Sequence, residues 1–434
     1  MLVATAGVVA PASAPGAGSD AFARRVAEST SVASEPELER RAYELAHMRG
    51  ALQAYFELAS AGCVPGDDGE ALPLGEDQLR LLRRVAELFA PAGVIDHVRN
   101  GMAAAPGEPW RRTALALLGL HGGSSQFSLL SQLVCDGREA PPRPGLVEPF
   151  TEALTAVLRR DGVRVQDLRW LAVEAPMLVE AMIPAVGRAG RPEGLDWLTG
   201  FLNDPRFGAA ALREIGRLAG AARGERAAET AAAVLPVLLA PSQTRRRSAL
   251  RVLSALQQPA SLPRLVLHLE RAPTESEREM TLSALRAISR VNLPADAAAW
   301  ADWARREKQW FSEFAEGALA RLAAEDVAEV VAAVHELARH PLHRERFATP
   351  LAALLAEHAS PVLRAQVCLA LSQLGSEAAV PQLLAALEDD DPSVRASALR
   401  ALRTLTGLSA GSSRQEWEEA LDARASSDSR QPPL

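Results

Sequence analysis

Residues Glu377 to Gly407 read EAAVPQLLAALEDDDPSVRASALRALRTLTG, and this stretch decides the fold. Its second half places Arg395, Ala398, Leu399 and Leu402 at i, i+3, i+4 and i+7. Those positions share one face of an α-helix, here an apolar stripe with an arginine at its edge. The arginine stem can pack while its head reaches outward. Asp391-Pro392 stands at the start of that helix, a capping residue before a proline. Proline loses nothing in the first turn, because that N–H has no intrahelical partner. The first half carries another apolar stripe, Leu383, Leu384 and Leu387, again with proline in its opening turn. Leu399 is expected to be buried.

The same Arg-x-x-Ala-Leu-x-x-Leu pattern recurs from Arg246 and from Arg111, and more loosely from Arg278 and Arg364. A further copy from Gly208 lacks the arginine. Asp204-Pro205 and Ser360-Pro361 repeat the start signal, and Leu262-Pro263 repeats the first-helix pattern of Val380-Pro381. Two helices and short turns fill the interval between copies. Neither helix can bury its stripe alone, so the units must stack.

Glu377 to Gly407 closely resembles a HEAT repeat. The resemblance implies an all-α, right-handed α-solenoid of stacked antiparallel helix pairs, a HEAT-like superhelix. It also implies a ladder of Asp and Arg side chains between repeats, for which Arg111, Arg246, Arg278, Arg364, Arg395 and Asp391 are the candidates. LRAISRVNLPADAAAW (285–300) and LRTLTGLSAGSSRQEW (402–417) form a second duplication. They resemble a tail common in bacterial HEAT-repeat proteins, a short helix opening with tryptophan. Trp300 and Trp417 are therefore expected to cap open repeat ends.

Composition agrees. The chain has 434 residues, 48% of them hydrophobic but only 4% aromatic, so Ala and Leu dominate. A single core stops growing near ~250–300 residues, which favours an array or several domains. The expected order is a signal-like segment and flexible linker (1–34), then degenerate N-terminal helices (35–140), with 62–75 a loop. Degenerate repeats (145–240) follow, then repeats with two Trp cap helices (241–425) and a disordered tail (426–434). The proline-rich run Gly137 to Gly145 reads as an irregular loop or a boundary between two sub-arrays, and one continuous superhelix bent there is expected.

No apolar run is long enough to span a membrane. Leu2 to Ala10 followed by Ala12-Ser13-Ala14 fits a signal peptide without its basic start, which favours an exported or periplasmic protein; the alternative is a cytoplasmic protein.

Catalytic signatures are missing. Cys63, Cys135 and Cys368 lie far apart, without a CxxC. His335 and His340 in HELARHPLH are i, i+5, off the i, i+4 spacing of helical metal sites, and Pro341 breaks the helix. One His-Glu pair, His335-Glu336, is too few for the two irons of deoxyhypusine hydroxylase, a HEAT-repeat enzyme. The expectation is therefore no enzyme, no metal and no cofactor. One surface pattern remains: Arg247, Arg251, Arg286, Arg290, Arg400 and Arg403 oppose the leucines of the second helices. In HEAT arrays that face lines the concave groove, and arginine forks suit carboxylate or phosphate. The leading reading is a monomeric scaffold that binds a protein or peptide in this groove. The alternative is nucleic-acid binding through the arginine row, against which the net charge of −7 argues. A lyase- or glycosylase-like enzyme is the third reading.

Overall fold

The computed structural model describes residues 17–29, 34–65, 70–137 and 139–428. The leader-like segment and residues 429–434 lie outside them. The chain forms two compact units, Met1–Leu218 and Ala219–Leu434.

The first unit holds α1 (Ala17–Ala27), α2 (Glu35–Ala46) and α3 (Ala51–Ala61), then a hairpin of β1 (Cys63–Pro65) and β2 (Ala71–Pro73). It continues through α4 (Glu76–Leu88), α5 (Pro91–Met102), α6 (Glu108–His121), α7 (Phe127–Val134) and α8 (Pro144–Leu158). α9 (Leu168–Glu174), α10 (Val179–Ala189), α11 (Gly194–Leu198) and α12 (Gly208–Ala219) complete it. One layer is built by α1 on α3, α3 on α6, α6 on α8 and α8 on α10. α6 and α8 approach closely because position 119 is glycine: a Cβ there would meet the Ala153 Cα at 3.0 Å.

The second unit holds α13 (Gly224–Val234), α14 (Gln243–Leu256), α15 (Leu262–Arg271), α16 (Glu275–Ser289), α17 (Ala297–Glu313) and α18 (Ala315–Ala320). α19 (Val327–Ala338), α20 (Arg344–Glu357), α21 (Pro361–Leu374), α22 (Val380–Ala385), α23 (Pro392–Thr406) and α24 (Arg414–Asp428) follow. α14 packs on α16, and α19 on α21 on α23. The caps are those the residue types dictate. Thr274 accepts from the Glu277 N–H at 3.3 Å, and Asp391 from the Ser393 N–H at 2.8 Å. Gly407 ends α23 in the left-handed region, φ 67°. Ser360 precedes α21 without a side-chain cap bond. Both units are α-solenoid arrays of stacked helix pairs.

The tryptophan duplication is structural. α17 packs on α15, and α24 packs on α22. Trp300 and Trp417 are fully buried, and each indole N–H donates to the carbonyl six residues earlier: Pro294 at 2.9 Å, Gly411 at 3.1 Å. A buried indole needs such a partner. The Trp300 helix is no short terminal cover, because it runs for 17 residues and α18 packs on its far end.

Several expectations are corrected. Residues 17–27 of the expected flexible linker are helical, because Phe22 and Val26, four apart, are both fully buried. The expected 62–75 loop contains the β1–β2 hairpin, with Cys63 opposite Pro73. The division between units follows Leu218 and not the proline-rich run, across which α6 and α8 pack. α24 reaches Asp428 within the expected disordered tail. Leu399 is only half-buried; Val394, Ala398, Ala401 and Leu402 face the core. The stripe is thus rotated toward the i+3, i+6 and i+7 positions.

Candidate functional site

The repeat arginines occupy one structural position. Arg111, Arg246, Arg278, Arg364 and Arg395 each stand four residues after the residue that caps their helix. From there the guanidinium turns back onto the connection entering that helix. Arg246 Nη1 donates to the carbonyls of Ala240 and Pro241, both at 2.8 Å. Arg364 does the same to His358 and Ala359, at 2.8 and 3.1 Å, and Arg395 to Asp389 and Asp390, at 2.7 and 2.9 Å.

The other edge of the fork takes an acid. Arg246 binds both Glu277 oxygens, at 3.0 and 2.8 Å, and Arg364 both Asp389 oxygens, at 2.8 Å each. Arg111 reaches Asp136 at 3.0 Å. Bidentate, charge-assisted pairs of this kind are the strong ones. They hold the Glu277 and Asp389 carboxyls below the usual carboxylate range. Two of the candidates do otherwise. Asp391 bonds Ser393 as a helix cap, and the bridging acid is Asp389. Among the described residues Arg278 pairs only with Glu275 of its own first turn, at 3.5 Å. After α16 the chain runs into the Trp300 helix, so no following repeat supplies its acid.

Beside the Arg246 rung lies an apolar groove of about 580 Å³, within the range of ligand and peptide pockets. One wall is the 3-10 turn Leu235–Leu239 that ends α13, contributing Leu235, Leu238 and Leu239. The other is α15, contributing Arg264, Leu267, His268 and Arg271 at i, i+3, i+4 and i+7, one helix face. Leu239 is 73% exposed, a branched side chain left in water beside an apolar trough. Arg246 and His268 also line it. His268 is nearly buried and lies 3.6 Å from Glu277; burial lowers its pKa. Sequence reading missed this groove. The only signal was a proline within the leucine-rich segment Leu235-Pro236-Val237-Leu238-Leu239, which bends a helix end outward.

The arginine row is not continuous. Arg251, Arg286 and Arg290 are exposed on the adjacent helices α14 and α16, and Arg400 and Arg403 on α23. Between these patches α19 carries no arginine, and α21 carries only Arg364, already tied to Asp389. Within the first patch, Arg247 is half-buried and donates to Ser276 Oγ at 2.7 Å. Arg286 donates to the Leu293 carbonyl at 3.1 Å, and Arg290, at φ 60°, lies against Gly375.

The histidines are structural in their contacts. His340 stacks on Trp310 with centroids 3.4 Å apart and meets both Glu307 oxygens at 3.1 Å. His343 stacks on Phe311, and His335 meets Gln366 at 3.0 Å. Among the described residues no group of three or more potential ligands could hold a metal ion. Burial pushes the Cys368 thiol up to about 12 and also raises Cys135. Among the described residues no helix is long and apolar enough to cross a membrane.

A family model described as HEAT repeats matches residues 300–403 and 348–423. No curated protein matches the chain. Three solved structures resemble it at low scores. The complex of CpcE and CpcF of phycocyanin lyase from Nostoc sp. is 16% identical, covers 63% of this chain and 94% of its own, and has a TM-score of 0.25. Human deoxyhypusine hydroxylase is 18% identical over 66% of this chain and 97% of its own, with a TM-score of 0.23. Kap95p in its complex with RanGDP is 13% identical over 93% of this chain and 64% of its own, with a TM-score of 0.35. Likenesses of this extent say nothing about activity. The arginine ladder, the paired helices and the family match agree on one statement: this chain is an all-α solenoid that carries HEAT repeats over residues 300–423.

Proposed function

We propose that this protein is a non-catalytic scaffold that holds a peptide segment of a partner protein in the groove between Leu235–Leu239 and α15. The observation that carries the reading is Leu239, 73% exposed in an otherwise apolar wall. An aliphatic side chain in water is covered at a gain of about 25 cal/mol per Å² buried, so a partner's apolar residue laid there is stabilising. The rigid ladder beneath supports the reading, because a preformed site loses less order on binding. The buried, high-pKa thiols and stacked histidines support a non-catalytic role. The broken arginine row removes the support for a nucleic-acid track.

The test is selection of a random 12-residue peptide library on the purified full chain, with wild type and Leu239→Asp compared. Leu239 is surface-exposed, so the variant should keep the wild-type melting curve. The reading expects enriched peptides that bind wild type and lose at least tenfold in affinity on the variant. No enrichment, or equal binding to both proteins, overturns it.

A further inference from the structure

The groove's charge goes further than its apolar lining, and we infer that it selects acidic segments: an aliphatic anchor flanked within a few residues by carboxylates. This rests on the scaffold reading above. Arg264 and Arg271 are exposed and line the groove from α15, and neither has an ion pair among the described residues. That sets them apart from their neighbour Arg246, whose fork is occupied by Glu277 and two carbonyls. In a chain of net charge −7, acids are plentiful, yet no carboxylate lines this groove. Two positive charges thus face a trough whose remaining lining is almost wholly apolar. The complementary occupant is negative at two points and apolar between them.

The spacing bounds the occupant. Seven residues of helix separate the two arginines by about 10.5 Å along α15. An extended segment covers that length in about three residue steps, so two residues, one of them the anchor, fit between two acids. Arginine, with its planar fork, favours a carboxylate in two-point contact over a diffuse negative surface. A segment with basic flanks is repelled at both ends.

The experiment uses peptides enriched on wild type, labelled and titrated by fluorescence anisotropy against the full chain. Each is compared with a version carrying Asn or Gln for every Asp or Glu. A second arm uses the Arg264→Ser/Arg271→Ser double variant, and a third uses a labelled single-stranded oligonucleotide. The inference expects acidic residues flanking an aliphatic one in the enriched set, and amidation weakening binding to wild type at least tenfold. On the double variant, acidic and amidated versions should bind alike. Peptides that need Leu239 but bind wild type equally well in acid and amide forms overturn the acidic selectivity while leaving the scaffold reading intact. Peptides indifferent to Leu239 overturn the scaffold reading itself. An oligonucleotide that binds the groove more tightly than any peptide, and loses this with the double variant, overturns the inference in favour of a nucleic-acid ligand.

Discussion

Arg191, just beyond the end of α10, donates to the carbonyls of Leu158, Arg160 and Val163, at 3.3, 3.2 and 2.6 Å. Arg364, near the start of α21, chelates Asp389. Both arginines join neighbouring helix pairs, but with different acceptors. In the first unit the acceptors are mostly backbone. His121, which ends α6, meets the Ala86 carbonyl of α4 at 2.7 Å, and Arg160 after α8 donates to the Gly119 and Gly122 carbonyls of α6. Each residue reaches carbonyls at or just beyond the end of a neighbouring helix and faces the negative end of its dipole. In the second unit the acceptors are carboxylates, Glu277 and Asp389. The division is not strict: in the first unit Arg80 and Arg84 of α4 also pair with Glu35 and Glu39 of α2, and Arg188 of α10 with Glu148 of α8. Arg111 pairs with Asp136, and Arg344 donates to the Ile288 carbonyl at 2.9 Å.

The comparison teaches why one half of the chain is readable and the other is not. A carboxylate rung requires two particular side chains at fixed register, so it leaves a recurring pattern. A carbonyl rung requires one particular residue and an acceptor that every residue carries. The family model matches 300–423, where Arg364–Asp389 lies, while the Arg246–Glu277 rung lies outside the match.

The largest effect expected from breaking the comparison is at Arg246. Arg246→Ala leaves Glu277, which is fully buried, without its partner, and should cost about 3–5 kcal/mol of stability in urea unfolding. Replacing both residues by apolar ones should recover most of that loss. A single variant as stable as wild type would show that the rung is ornamental. In the first unit, Arg191→Ala should cost less, about 1–3 kcal/mol, because it strands neutral carbonyls, and the acid it also meets, Glu193 at 3.5 Å, is exposed to water. Equal losses at the two sites would erase the distinction.

The two kinds of rung also differ in their response to acid. Glu277 and Asp389 have folded pKa values held below their unfolded ones, near ~4. Their contribution is therefore present above that unfolded value and is lost as pH falls through the lower folded values. Glu214 of α12 has the opposite sign: burial raises its pKa, so its contribution is full at low pH and fades as pH rises through the raised value. Urea unfolding at stepped pH should show the second unit weakening on acidification. The dependence should be blunted in Glu277→Gln/Asp389→Asn. An unchanged pH profile in that variant would sink the assignment. The smallest effect is at the surface. Arg400→Glu should shift stability by no more than about 0.5 kcal/mol, because its side chain is exposed on α23. A larger loss would mean that the α23 patch is part of the packing.

Much of the fold was legible. α4, α5 and α6 fall inside the expected N-terminal helical region of 35–140, and the Arg-x-x-Ala-Leu-x-x-Leu helices are all present. α1 was hidden because Ala, Gly and Ser around Phe22 and Val26 mimic linker composition. The candidate site was barely legible. The arginine pattern led to Arg246, but the groove beside it depends on which leucines stay exposed. Leu238 is buried and Leu239 is exposed, although the two are adjacent and identical. That difference arises from the turn geometry, which residue type does not record.

Hydrogen exchange of the full chain, with and without a peptide selected on it, tests the account most directly. The prediction is slowed exchange confined to residues 232–241 and 262–273, the two walls of the groove. Slowed exchange in the first unit instead, or along the exposed arginines of α14 and α16, would contradict it.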